Sequence, residues 1–406
     1  MRKIKICSIF LLIIVIFSTC SFCDDTQEET ENLDIQITSS SQDEPEIYSR
    51  RAIVFERNSK TILYEKNINE KCAMASTTKI MTCILILENC NLSDEVTVSA
   101  KAASTGGSRL GLKTNDKLSV NDLLYGLMLC SGNDTAVCLA EYLGGSIEGF
   151  SNIMNEKANN LGLKSTNFVT PHGLDDENHY TTAYELALIT DYALENDTFR
   201  KIVGTNDYTV TINGYPKNIS NTNELLGNLN GVYGVKTGFT GNAGRCLVTS
   251  ARRDSGLDII TIVLGADTKK IRTQDSAKLI NYCFDNYALI NIEEKIKEKY
   301  GYFKTYIEPN IYIYKGISNN LETYLSSVKY LVYPVKNIYK DNVHITIENI
   351  DYIEAPVTED FPIGKISVFI NNEFIFSCDI LARTDIERKT TLYFFKNFLK
   401  NYKLIW

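Results

Sequence analysis

The chain is expected to fold as a mixed α/β (α+β) domain, an antiparallel sheet flanked by helices, followed by a small all-β C-terminal unit. Three observations predict this. β-Prone pairs bracket the first part of the chain, Ala52 to Phe55 with Thr61 to Tyr64, and Cys246 to Ala251 with Asp258 to Leu264. Between them, apolar residues recur mainly at helical spacing. From about residue 293 to 381, tyrosine, isoleucine and valine alternate with polar residues, and no helix is expected there.

The N-terminal elements come first. Residues 1–23 have the order of a secretory signal peptide: Arg2, Lys3 and Lys5, the apolar run Ile6 to Phe17, then small or polar residues up to Cys23. The run is short for a membrane span, and an uncleaved anchor is the alternative. Phe17-Ser18-Thr19-Cys20 matches a lipid-attachment site poorly. Residues 24–46 carry nine acidic residues and no basic one, the composition of a disordered, solvated spacer. Export to the cell envelope, either at the outer face of the cytoplasmic membrane or as a secreted protein, is the expected location.

That spacer accounts for most of the formal charge of −8 over 406 residues, and the remainder is near balance. No basic stripe offers a nucleic-acid footprint. Of the eleven cysteines, Cys7, Cys20 and Cys23 lie in the leader, and the remaining eight include no C-x-x-C pair and no metal-ligand spacing. Export permits disulfides, but buried free thiols are the simpler expectation, with Cys72, Cys83, Cys90 and Cys138 as core filler. With only three histidines, His172, His179 and His344, no metal or other cofactor is expected.

The turn Arg57-Asn58-Ser59-Lys60 makes the first two runs a hairpin, residues 47–292 being expected as one domain. A buried helix should start at Ser76 and run through Ile80, Met81, Ile84, Leu85 and Leu87. Val96 to Lys117 is a polar excursion. Ser119-Val120-Asn121-Asp122 resembles a capping box opening a helix through Leu129. The chain breaks at Ser131-Gly132-Asn133, resumes as a helix through Leu143 and stops at Gly144-Gly145. Phe150 to Leu161 and Thr182 to Glu195 are further helices, with the loop Thr170-Pro171-His172-Gly173 between them. Tyr208 to Ile212 and Pro216 to Ile219 look like strands. Asn228 to Gly238 is glycine-rich, the two β-prone runs after it should pair antiparallel, and Thr273 to Tyr287 is a helix. After the β unit at 293–383, residues 384–406 form a tail in which Lys396, Lys400 and Lys403 make a basic stripe beside Phe395, Phe398, Leu399, Tyr402, Ile405 and Trp406. An amphipathic helix in the membrane surface fits this tail; a helix packed on its own domain is the alternative.

Three short motifs lie at structural junctions: Ser76-x-x-Lys79 at a helix start, Ser131-Gly132-Asn133 at a helix break, and Lys236-Thr237-Gly238 near a strand end. Each is common by chance. Ser326-Ser327-Val328-Lys329 also matches the first, and Ser76 alone would be an ordinary N-cap. Together, in this order, they bring a hydroxyl, two amines and a carboxamide to places where side chains can converge. Residues three apart on a helix face each other, so Ser76 and Lys79 can be a nucleophile and its base. An ordinary lysine titrates near ~10.4 and a useful general base nearer ~7–8. Burial and a second cation, Lys236, can lower it.

With these triplets in hand, the chain resembles the serine D-alanyl-D-alanine carboxypeptidases, the low-molecular-mass penicillin-binding proteins. The resemblance spans about 47 to 383 and includes Asp122-Leu123-Leu124-Tyr125-Gly126-Leu127-Met128, Pro171-His172-Gly173-Leu174, and Gly238-Phe239-Thr240 followed by Ala243-Gly244-Arg245. It implies a β-lactamase/transpeptidase-like catalytic domain. It also implies removal of the terminal D-alanine from peptidoglycan stem peptides through an acyl-enzyme on Ser76, with β-lactams acylating the same serine. Lys79 would be the base, Ser131 the proton relay, Asn133 a holder of Lys79 and the substrate amide, and Lys236 and Thr237, with Gly238, the carboxylate site. The backbone N–H groups of Ser76 and Phe239 would form the oxyanion hole. Arg272 matches a family arginine near the substrate carboxylate; a solvated arginine at a helix start is the alternative. Two residues depart from the family pattern: Ala73 and Cys130 stand where proline is common, and Cys130 leaves the wall of the site oxidisable. His172 and His179 are expected to fix loops.

Two other functions compete with this one. A class A β-lactamase shares the triplets but needs a glutamate to activate the deacylating water; the corresponding position is Asn167, with no Glu-x-x-Leu-Asn pattern nearby. A penicillin sensor or scaffold would use the same pocket without hydrolysis, and no multi-span segment or protease motif accompanies it. The β unit, which offers no chemistry, is expected to serve as a pedestal between membrane and cleft.

Overall fold

A computed structural model describes residues 43–401. The expected signal at 1–23, most of the acidic spacer and residues 402–406 lie outside the described residues. β1 (Arg51–Glu56) and β2 (Ile62–Lys66) form the hairpin, and a 3-10 turn, Ala75–Thr78, leads into α1 (Lys79–Asn89). β3 (Glu95–Thr97), α2 (Ala100–Ser104) and β4 (Lys117–Ser119) follow. Next come α3 (Val120–Met128), α4 (Asn133–Gly144), α5 (Ile147–Asn160), α6 (Ala183–Leu194) and α7 (Asp197–Val203). The hairpin β5 (Asp207–Ile212) and β6 (Tyr215–Ser220) precedes β7 (Val232–Thr240), β8 (Gly244–Arg252), β9 (Asp258–Ala266) and α8 (Lys269–Asn286).

The central sheet has the order β2-β1-β9-β8-β7, with every pair antiparallel. Its strands are apolar on both faces because both faces are covered. On β1, Ile53 and Phe55 enter one core while Ala52 and Val54 enter another; on β9, Ile260, Ile262 and Leu264 face the first and Ile259 and Val263 the second. That period of two sandwiches the sheet between α8, through Ala277, Ile280 and Cys283, and a larger lobe built from α1 and α3 to α7. Ser119 caps α3 by accepting from the Asp122 N–H, and α4 ends at Gly145 in the left-handed region. The eight cysteines among the described residues are free thiols.

A separate core gathers side chains from Ile290 to Ile386. Its elements are β10 (Tyr287–Asn291), α9 (Ile292–Tyr302), β11 (Tyr312–Tyr314), β12 (Thr323–Leu325), β13 (Val332–Lys336), β14 (Val343–Asn349), β15 (Tyr352–Glu354), β16 (Pro362–Ile370) and β17 (Glu373–Ala382). β12, β17, β16 and β14 form a four-stranded sheet. α10 (Thr391–Asn401) ends the described chain.

Several expectations are corrected. α9 lies where no helix was expected: Asn291 caps it by accepting from the Glu294 N–H, and Ile292 and Ile296 lie one turn apart on its buried face. The polar excursion holds β3, α2 and β4, stretches too short to show a period. α7, capped by Asn196, was not anticipated. α8 opens at Lys269 rather than Thr273, which puts Arg272 in its first turn. The tail begins later than 384, because Ile386 is buried and pairs with Val357.

Candidate active site

The reactive residues converge at the seam between the helical lobe and the edge strand β7. Ser76 sits in the 3-10 turn, and the following α1 starts on Lys79. Lys79 is fully buried, and its Nζ contacts Ser76 Oγ at 2.7 Å, Asn133 Oδ1 at 2.7 Å and the His172 carbonyl oxygen at 2.9 Å. Asn133 Nδ2 donates to the Gly106 carbonyl at 2.7 Å, which fixes the amide so that Oδ1 faces the lysine. Two of the lysine's three partners are therefore acceptors only. A neutral amine has two N–H donors and one lone pair. Asn133 Oδ1 and the His172 carbonyl take the donors, which leaves the lone pair for the Ser76 hydroxyl proton.

Burial, and after it the nearby charge of Lys236, hold the Lys79 pKa well below the ordinary lysine value. Lys236 is 1% exposed, on β7, with Nζ 3.0 Å from the Thr237 carbonyl oxygen. Ser131, at φ 59°, stands in the break between α3 and α4. The cleft is lined by Ser76, Ser108, Cys130, Ser131, Thr222, Thr237, Gly238 and Phe239.

Glycine makes this approach possible. A Cβ on Gly238 would lie 3.0 Å from the Ser76 backbone nitrogen and 3.2 Å from that of Thr77, so β7 runs hard against the nucleophile turn. On the opposite side, Gly173 has φ +85°, and a Cβ there would lie 1.9 Å from the Ala75 carbonyl oxygen. The two histidines hold this side of the cleft. His179 Nδ1 accepts from the Val169 N–H at 2.9 Å, so its Nε2 carries the proton toward Thr78 Oγ1 at 2.8 Å. Burial lowers the His172 pKa to about 3 and the His179 pKa to about 4.

Thus Ser76, Lys79, Ser131, Asn133, Lys236, Thr237, Gly238 and Phe239 are brought together. Arg272 is not among the cleft-lining residues. It is not solvated either: its guanidinium, 2% exposed, pairs with Glu224 at 2.5 Å. Asn167 bonds the Asn178 carbonyl and does not line the cleft. Ser326 and Lys329 lie in a loop, with Ser326 Oγ accepting from the Asp379 N–H.

Sequence reasoning missed Asp134, Ser108, Thr222 and Glu224. The buried Asp134 carboxylate accepts from the backbone N–H groups of Leu110, Gly111, Leu112 and Thr135, and so holds the 106–112 loop beside Asn133. Its position directly after the Ser-Gly-Asn triplet was the available signal, but a first-turn acid is ordinary on a helix. Thr222 and Glu224 had none.

A serine hydroxyl held against a buried, depressed-pKa amine, between a helical lobe and an antiparallel sheet edge, is the arrangement of a serine acyl-transfer enzyme. The family model for D-alanyl-D-alanine carboxypeptidases, the S11 peptidases, matches residues 38–268. D-alanyl-D-alanine carboxypeptidase DacF of Bacillus subtilis is 33% identical over 354 residues, covering 86% of this chain and 88% of that protein. Penicillin-binding protein 5 of Haemophilus influenzae superposes with a TM-score of 0.70 at 28% identity, over 85% of this chain and 99% of that one. The Streptomyces K15 DD-transpeptidase superposes with a TM-score of 0.58 at 34% identity, over 60% of this chain and 99% of its own. The chain belongs to the S11 peptidases, the D-alanyl-D-alanine carboxypeptidases.

Proposed function

We propose that Ser76 is the nucleophile with which this serine D-alanyl-D-alanine carboxypeptidase releases the terminal D-alanine of peptidoglycan stem pentapeptides. The single observation that carries this assignment is the set of three Lys79 contacts, which aims a lone pair at Ser76 Oγ. Lys79 takes the Ser76 proton as Oγ attacks the carbonyl carbon of the penultimate D-alanine. The negative charge develops on the carbonyl oxygen, between the N–H groups of residues 76 and 239. Ser131 relays the proton to the leaving nitrogen, the C–N bond breaks, and D-alanine departs. Water, deprotonated by the same amine, then cleaves the ester and regenerates Ser76. Lys236 and Thr237 bind the substrate's terminal carboxylate, and Asn133 keeps Lys79 in place. A β-lactam presents the same amide and carboxylate and acylates Ser76.

Mass spectrometry with and without penicillin tests the assignment. An adduct on Ser76, and D-alanine release from a pentapeptide muropeptide that Ser76→Ala abolishes, are expected. Release retained by Ser76→Ala would refute the nucleophile. Slow nitrocefin turnover after stoichiometric acylation separates this function from a β-lactamase, which turns over fast.

The proposal extends to location. The enzyme is exported through residues 1–23 and rests on the membrane through α10, which buries no residue and exposes Leu392, Phe394, Phe395 and Phe398. No helix among the described residues is long and apolar enough to cross a membrane. The β unit then serves as the pedestal that lifts the cleft toward the cell wall.

A further inference from the structure

Thr222 and the pair formed by the buried Arg272 with the partly buried Glu224 take no part in the steps above, yet both bear on the carboxylate end of the cleft. Thr222 lines the cleft, and its Oγ1 lies 2.7 Å from Thr237 Oγ1. We propose that Thr222 is a positioning residue for recognition of the substrate carboxylate, donating its hydroxyl proton to Thr237, and that the Arg272–Glu224 pair holds the segment that carries it. This rests on the function proposed above.

The inference follows from counting protons. Each threonine hydroxyl has one proton. If Thr237 gave its proton to Thr222, it would face an incoming carboxylate with lone pairs. If Thr222 donates, the Thr237 proton points to the anion, and the chain of two hydroxyls polarises it as a donor. Thr222 can hold that role because its segment is tied on several sides. Its N–H donates to the Leu129 carbonyl at 3.2 Å, the end of the helix that precedes Ser131. Asn223 Nδ2 donates to the Gly234 carbonyl on β7 at 2.9 Å. Glu224 closes the set: one carboxylate oxygen meets Arg272 at 2.5 Å and the other Lys269 at 2.7 Å, both from the first turn of α8. Burial opposes the Glu224 charge, but Arg272 and Lys269 hold its pKa below the ordinary glutamate value, so the pair stays ionised. Arg272 therefore serves the carboxylate site through Glu224 and Thr222 rather than by touching substrate.

The test uses the full-length enzyme and two acyl-D-alanyl thioesters, one with a free carboxylate on its leaving group and one with that group as the methyl ester. Thr222→Val is expected to lower kcat/KM for the carboxylate substrate about tenfold, with the ester changed by less than about twofold, and Thr222→Ser to restore it. An equal loss on both substrates, or none on either, would overturn the positioning role. Glu224→Gln and Arg272→Lys are expected to show the same selective loss, and the double variant to be no worse than the weaker single one. Additive losses would mean that Arg272 acts on the carboxylate independently, which overturns its placement here. Benzylpenicillin labelling of the wild type separates the two levels. Without a Ser76 adduct the proposed function itself fails; with one, an unselective Thr222→Val defeats only this inference.

Discussion

Asn133 holds the Lys79 amine in the geometry that a base for Ser76 requires. Its Oδ1 takes one lysine N–H at 2.7 Å, and because Nδ2 is committed to Gly106, the amide cannot flip to offer a donor. The amine is left with one direction in which to accept a proton, toward Ser76.

Lys79→Arg introduces a side chain of similar length that stays charged and cannot act as a base. It should abolish base catalysis, with acylation by penicillin falling roughly 10²–10⁴-fold. Stopped-flow acylation alongside a thermal melt checks this, since a folded variant that acylates normally would contradict the lysine's role.

The protonation of Lys79 sets the acid limb of activity. The charged form cannot act as a base, so kcat/KM rises as pH increases through its depressed pKa. Removing the neighbouring cation in Lys236→Gln relieves the repulsion that lowers that pKa. The acid limb of the acylation rate should move to higher pH, apart from any loss of substrate affinity. A limb that stays put, or moves to lower pH, would exclude the coupling.

Stability should fall on acidification for a related reason. His172 and His179 are held neutral by burial, with pKa about 3 and about 4, while unfolded histidine titrates near ~6.5. Below that value the unfolded state takes up protons that the folded state refuses. Stability is full above about 6.5 and is lost as pH falls toward the folded values, by roughly 1.4 kcal/mol per pH unit for each histidine. Urea melts between pH 7 and 5 should show this slope, and His179→Gln should flatten it.

The two glycines at the nucleophile turn should respond differently to alanine. Gly173→Ala places a Cβ onto the Ala75 carbonyl at positive φ, and should cost more than about 1 kcal/mol of stability. Gly238→Ala meets contacts of 3.0–3.2 Å, which a slight shift of β7 relieves. It should melt near the wild type yet acylate more slowly, since that shift opens the oxyanion site. Calorimetry and acylation rates, measured together, separate the two.

Ending the chain at residue 390 removes α10, which contributes nothing to the three cores. The shortened enzyme should be acylated at the full rate and should no longer sediment with phospholipid vesicles. Vesicle binding that survives would place the membrane contact elsewhere.

Much of this protein is determined by its sequence alone. The β-prone apolar runs of β1, β8 and β9, the capping at Ser119 and the ordered Ser76, Ser131 and Lys236 motifs are local patterns, and they name the fold and most of the site. α9 escaped because only two apolar residues, Ile292 and Ile296, mark its buried face within the charged run Glu293 to Lys299, too few to show a period. Other questions only the tertiary structure decided: that Ser76 meets a buried Lys79 in the cleft while Ser326-x-x-Lys329 is loop, that Arg272 turns to Glu224, that Asp134 anchors four amides, and that Thr222 reaches Thr237. The physical reason is that burial and the Coulomb interaction depend on which groups meet in space. The pKa of Lys79 falls, and Arg272 finds its carboxylate, through neighbours that lie far away along the chain.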